Sequence, residues 1–200
     1  MKQLVIYIHG KGGTAEEAQH YQSLFGNSDV IGFDYQSQNP WDAKYEFSNY
    51  YDLHSKGYED VVLVANSIGA YFSMNALAKK KISKAFFISP VVDMEKLITD
   101  MMKWSNVTED ELQSKKEIAT ELGEVLSWEY LCYVRKYPIE WNIPTCILYG
   151  KNDSLTSIET ISEFSKQIGA TLTVMDDGEH WFHTDSQMKF LDDWIRNSIR

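Results

Sequence analysis

Val61-Val62-Leu63-Val64-Ala65-Asn66-Ser67-Ile68-Gly69-Ala70-Tyr71-Phe72 passes from one kind of periodicity to another within a few residues. The apolar, β-branched run Val61–Val64 reads as a strand, and Ala70, Tyr71, Phe72, Met74 and Leu77 read as a helix. Ser67 therefore sits on a tight strand-to-helix turn, its hydroxyl projecting from the backbone with helix N–H groups close behind it. Such a turn is strained, and the positions two before and two after the serine must be small; Ala65 and Gly69 satisfy this, with Ala65 where a stricter pattern has glycine. Small-x-Ser-x-Gly also arises often by chance. Its meaning depends on whether the chain supplies a base, an acid and N–H donors in compatible places.

Short apolar runs alternate with longer amphipathic ones, the pattern of a parallel sheet flanked by helices. Strands are expected at about 2–8, 29–34, 60–66, 84–89, 145–150 and 171–176, and helices at about 14–25, 41–56, 68–80, 156–168 and 184–199. Thr14 followed by Glu17 marks a helix start, as does Asp185 in the first turn of the last helix. The fold class is α/β, a doubly wound, mainly parallel six-stranded sheet, and residues 1–200 are read as one domain.

Residues 91–142 break this rhythm. They carry Met94, Leu97, Ile98, Met101, Met102 and Trp104, then Ile118, Leu122, Val125, Leu126, Trp128 and Leu131, with the charged stretch Glu109–Lys116 between. This reads as a helical insertion of two or three helices. Either it covers the sheet or it forms a cap whose Met and Trp side chains make an adaptable apolar wall.

In a doubly wound sheet the first strand lies centrally, with the second and third on opposite sides of it. Ligands bind beyond the carboxyl ends of the strands at the point where the order reverses. Two glycine-bearing turns meet there, His9-Gly10-Lys11-Gly12-Gly13 and Asn66-Ser67-Ile68-Gly69. A serine hydroxyl needs a base within hydrogen-bond reach, and the base needs an orienting partner. Histidine is the natural base at neutral pH. His180 follows the sixth strand on the carboxyl side, with His183 as its rival; His20 and His54 fall inside expected helices. Asp153, just after the fifth strand, is placed to hold the imidazole, although Asp at such a position also caps helices. Asp93, after the fourth strand, is the other candidate.

Ser67, then Asp153, then His180 is the chain order of the α/β-hydrolases, which the sequence resembles over nearly its full length. On this resemblance the strand ending at His9-Gly10 matches the family's third, and the first two are missing. Small serine hydrolases of the RBBP9/YdeN-like group are similar in this respect. The resemblance implies an oxyanion hole built from the backbone N–H of Ile68 and of Lys11, or alternatively of Gly12. It also implies cleavage of a carboxylic ester or related acyl substrate through an acyl-enzyme, with no metal or organic cofactor. Met101, Trp104 and Trp181 are the candidates for an apolar substrate pocket.

The first turn fits a rival as well. Gly10-Lys11-Gly12-Gly13-Thr14-Ala15 satisfies the relaxed dinucleotide fingerprint, and Asp34 stands where that fold places its ribose-binding acid. A nucleotide-binding oxidoreductase would, however, leave Ser67, Asp153 and His180 without a role. A hydrolase fold serving only as a binding module usually lacks a triad member, and here all three are present. The formal net charge of −10 argues against nucleic acid or an anionic membrane as partner. Cys132 and Cys146 form no metal-ligand or disulfide framework. The apolar run Leu4–Ile8 is too short for a signal sequence or a membrane span, so a cytoplasmic location is expected.

Overall fold

The computed structural model describes residues 2–121 and 123–199; Leu122, one of the apolar residues of the insertion, lies outside them. The chain divides into two compact units, 1–92 with 140–200, and 93–139.

The first unit is built on six strands, β1 (Gln3–Ile8), β2 (Asp29–Phe33), β3 (Asp60–Asn66), β4 (Lys84–Ile88), β7 (Thr145–Gly150) and β8 (Thr171–Met175). They lie in the order β2-β1-β3-β4-β7-β8, and every neighbouring pair is parallel. Each expected strand is present, within a residue or two at its ends.

A parallel sheet must be covered on both faces, which is why its strands read as unbroken apolar runs rather than alternating ones. Val5, Tyr7, Val62, Val64, Phe86, Ile88 and Leu148 belong to one core cluster with Ala18 and Tyr21 of α1 (Ala18–Gln22) and Leu191, Trp194 and Ile195 of α8 (Asp185–Ile199). Alternate positions such as Leu4, Ile6, Ile8 and Leu63 are equally buried. On the other side lie α2 (Pro40–His54) and α3 (Ser67–Leu77), packed through edge-on rings of Phe47 and Phe72. Each such aromatic, withdrawn from water, contributes about 2–3 kcal/mol. The unit is completed by α7 (Ile158–Ile168).

The helix expected at 14–25 is much shorter, a 3-10 turn (Ala15–Glu17) followed by α1. Packing against β2 constrains its start. A Cβ on Gly32 would fall 1.9 Å from the Ala15 carbonyl oxygen, so the chain is pressed backbone to backbone there. Gly26, at φ +59°, then turns the chain into β2.

The second unit corrects the expectation of a wholly helical insertion. It contains α4 (Met94–Trp104), α5 (Glu109–Lys115) and α6 (Trp128–Lys136), but between α5 and α6 the chain forms an antiparallel ribbon, β5 (Glu117–Ala119) and β6 (Val125–Ser127). Ile118 pairs with Leu126, and the loop closes through Thr120 N–H to the Glu124 carbonyl (2.8 Å) with Gly123 at φ +78°. The charged stretch expected to separate two helices is itself α5, opened by Thr108 and Glu111. Arg135 of α6 ties α4 to α5 by ion pairs to Glu95 (2.7 Å) and Glu109 (2.6 Å). Among the described residues no helix is long and apolar enough to cross a membrane.

Candidate active site

Ser67 opens α3 directly after β3 and has φ +50°, a left-handed conformation that costs a non-glycine residue about 1–3 kcal/mol. The small-residue rule has a visible cause. A Cβ on Gly69 would lie 2.3 Å from the His9 carbonyl oxygen, and Ala65 is fully buried. The two turns at the switch point are in contact, because a Cβ on Gly10 would lie 3.2 Å from the Ser67 Cβ.

The Ser67 hydroxyl is 2.8 Å from His180 Nε2, and His180 Nδ1 is 2.7 Å from Asp153 Oδ2. The partners set the tautomer. Asp153 accepts from Nδ1–H, which leaves Nε2 with a lone pair to accept from the serine hydroxyl. The Asp153 side chain is fully shielded from solvent, and its Oδ1 accepts from the N–H groups of Leu155 (2.7 Å) and Thr156 (3.1 Å). Asp153 thus holds the imidazole and its own loop at once, while the cap of α7 is Ser157. The rival acid, Asp93, caps α4 through the Lys96 N–H at 2.8 Å. The rival base, His183, stacks on Trp181 and directs Nδ1 to the Trp181 carbonyl at 2.8 Å.

The loops after β7 and β8 meet through glycines that sequence reasoning passed over. Gly150 would carry a Cβ 2.4 Å from the Glu179 carbonyl oxygen, and Gly178 one 2.8 Å from the Gly150 Cα. Asn152 N–H donates to the Gly178 carbonyl at 2.8 Å. This backbone contact is what brings Asp153 and His180 within hydrogen-bond reach. The available signal was a glycine close before each of them.

Lys11 and Gly12 form the tip of a turn closed by Gly13 N–H to the Gly10 carbonyl at 3.1 Å, with Gly12 at φ +76°. Ile68 lies in the first turn of α3, where backbone N–H groups have no acceptor within the helix. The loop of Gly10 to Gly13 and Ser67 line one cleft of about 810 Å³. Of the pocket candidates Trp181 lines it, 72% exposed. Met101 and Trp104 belong to α4 of the second unit. Within the first unit the apolar lining comes from Tyr21, Ile88, Leu155, Phe182, Met188 and Leu191.

His20, which falls inside the helix expected at 14–25, also lines the cleft and pairs with Asp192 at 2.7 Å. His9 stacks on Tyr35 instead, with Nδ1 against the Gly10 carbonyl at 2.7 Å. Tyr7 is buried beneath the cleft and donates its hydroxyl to Glu17. Asn66, immediately before Ser67, donates Nδ2–H to the Tyr7 oxygen at 2.9 Å. Among the described residues no three His, Cys, Asp or Glu side chains gather as a metal site requires.

The dinucleotide reading meets a topological objection. That fold orders its strands 3-2-1-4-5-6, with the third strand outside the second. Here β3 pairs with β1 on the side away from β2. Asp34 is exposed, its carboxylate 3.8 Å from His9 Nε2.

No protein-family model matches the chain, and no curated protein matches it by sequence. Solved structures do. Est1E from Butyrivibrio proteoclasticus is similar over 99% of this chain and 87% of its own, with a TM-score of 0.80 at 17% identity. Alpha/beta hydrolase domain-containing protein 10 from mouse is similar over 98% and 89%, at a TM-score of 0.73 and 16% identity. The esterase domain of a Rhodothermus marinus protein is similar over 98% and 85%, at 0.67 and 12%. At these identities the likeness establishes the fold, that of the α/β-hydrolases.

Proposed function

We propose that this α/β-hydrolase-fold chain is a serine hydrolase that cleaves a carboxylic ester or related acyl bond. The observation that carries the proposal is the continuous hydrogen-bonded chain from Ser67 through His180 to Asp153, hung on a left-handed serine at the mouth of a cleft. In this reading Ser67 Oγ attacks the carbonyl carbon as His180 Nε2 takes its proton. The imidazolium is stabilised by Asp153, which stays ionised. The oxyanion that forms is met by the N–H groups of Ile68 and of Lys11 or Gly12. Such donors each contribute about 3–4 kcal/mol, because they are aimed at charge present only in the transition state. His180 then gives its proton to the leaving alcohol. Water attacks the acyl-enzyme with the same imidazole as base, restoring Ser67.

The substrate in this reading is a small acyl compound, and the protein works in the cytoplasm without metal or cofactor. Est1E has been solved with ferulic acid bound. An aromatic acyl group therefore belongs beside aliphatic ones of graded length in a first series of p-nitrophenyl esters.

The test is covalent labelling with a fluorophosphonate probe, expected on the native chain and absent from Ser67→Ala. His180→Ala is expected to lower kcat by about 10⁴-fold or more, and His183→Ala by far less. Equal losses for the two histidines would defeat the assignment. No labelling at all would favour a binding protein on the same fold.

A further inference from the structure

The Tyr7–Glu17 pair has no part in the proposed chemistry, yet it is built with care. Tyr7 is wholly buried in the core under the cleft, and burial, reinforced by Tyr21 and Glu17, pushes its pKa far above the usual tyrosine value. Its hydroxyl therefore stays protonated and always donates to Glu17 Oε2. Asn66 completes the chain by donating to the Tyr7 oxygen at 2.9 Å, and its own Oδ1 is buried with no partner among the described residues. Capping the short 3-10 turn accounts for only one of the Glu17 oxygens, Oε1, which accepts from the Thr14 N–H at 3.1 Å. The other is aimed from below by a tyrosine that the core holds in place.

A carboxylate has about four acceptor sites, and among the described residues Tyr7 and the Thr14 N–H use two of them. Glu17 is solvent-exposed within the cleft and, among the described residues lining it, is the one carboxylate. The same hydrogen-bonded chain ends on the residue next to Ser67. A fixed acceptor with spare lone pairs, in the same cleft as Ser67, selects for a partner that donates.

Resting on the serine hydrolase reading, we infer that Glu17, positioned by Tyr7, recognises a hydrogen-bond donor on the acyl group, a hydroxyl or an ammonium close to the scissile carbonyl. Glu17 is then a specificity residue and Tyr7 a positioning residue. Neither takes part in bond making.

The experiment measures kcat/KM for p-nitrophenyl butanoate, 3-hydroxybutanoate and 3-aminobutanoate in the native chain, Glu17→Gln and Tyr7→Phe. The readout is the ratio of each substituted ester to butanoate within one variant, so intrinsic reactivity and any loss of folded protein cancel. A hydrogen bond to a charged group exceeds one to a neutral group by enough to shift the ratio about fivefold. At least that fall is expected in Glu17→Gln, and a smaller fall in Tyr7→Phe. A fall confined to the hydroxy ester or to the amino ester identifies which donor the site takes. Ratios within twofold of native for both esters in Glu17→Gln overturn the inference. Butanoate hydrolysis that survives Ser67→Ala defeats the serine reading itself, a separate failure.

Discussion

Ser67 and Ser89 invite comparison, because each directly follows one of two adjacent central strands, β3 and β4, and each has a left-handed backbone, φ +50° and +42°. Their turns even touch, through Val91 N–H to the Ser67 carbonyl at 3.1 Å. Yet Ser67 lines the cleft with its hydroxyl on His180, whereas Ser89 is 1% exposed and its Oγ has no partner among the described residues. The chain beyond each serine differs as well. Ser67 starts a helix, whose first N–H groups have no acceptor within it. Ser89 donates its N–H to the Leu148 carbonyl at 2.8 Å and runs into Pro90, which has no N–H to offer. Strain at a strand end is therefore shared by a candidate nucleophile and a buried structural residue. The base and the open cleft separate them.

The largest effect is expected at Ser67, and two substitutions split its chemistry from its strain. Ser67→Ala and Ser67→Gly both remove the nucleophile, and each is expected to lower ester hydrolysis by roughly 10⁴-fold or more. Alanine keeps the unfavourable φ, whereas glycine relieves it at a cost of about 0.5–1 kcal/mol in unfolded-chain entropy. Ser67→Gly should consequently melt a few degrees above Ser67→Ala in a thermal scan, for roughly 1 kcal/mol of net gain. Equal melting temperatures would mean that the strain relieved is no larger than the entropy glycine adds to the unfolded chain, about 0.5–1 kcal/mol.

Gly69→Ala tests what holds the Ser67 turn in place. Its Cβ would meet the His9 carbonyl oxygen at 2.3 Å and the Ile8 carbonyl oxygen at 3.1 Å, both backbone atoms that cannot rotate aside. Relief requires α3 or the loop of Gly10 to Gly13 to move. A loss of about 2–4 kcal/mol is expected from denaturant melts, with activity falling further than the unfolded fraction explains. Native stability in Gly69→Ala would contradict this backbone-to-backbone packing. The turn at Ser89 has no glycine two residues on to play the same part; Val91 stands there.

Much of this arrangement was legible because its causes are local. Strands such as Leu4–Ile8 and Val61–Ala65 are covered on both faces, so their apolar runs stand out from the chain. Ser67, Asp153 and His180 each follow a strand at the carboxyl edge, and strand order alone brought them towards one place. What escaped notice depends on long-range contacts. The truncation of the first helix reflects Ala15 pressed on Gly32. The ribbon at 117–127 came from Ile118, Val125 and Leu126, whose spacings of seven and eight suit a helix as well as a hairpin. The Tyr7–Glu17–Asn66 chain joins three separate elements, and no motif announces it.

Ser89→Gly carries the smallest expected effect and bears most directly on the comparison. Glycine would relieve a left-handed backbone worth about 1–2 kcal/mol. It would also remove a buried hydroxyl without a partner among the described residues, worth about 1–3 kcal/mol of desolvation. Against these stand the entropy of the more flexible unfolded chain, about 0.5–1 kcal/mol, and the small void left by the side chain. The balance is a gain of roughly 1 kcal/mol, read as a rise of about 2–4 °C in melting temperature for a chain of this size. Ester hydrolysis should stay within about twofold of native. If activity instead fell with Ser67, the two serines would form one functional unit and the distinction between them would fail. If stability fell, the Ser89 hydroxyl would have a partner in solution that supports the turn, and its strain would serve to hold that contact.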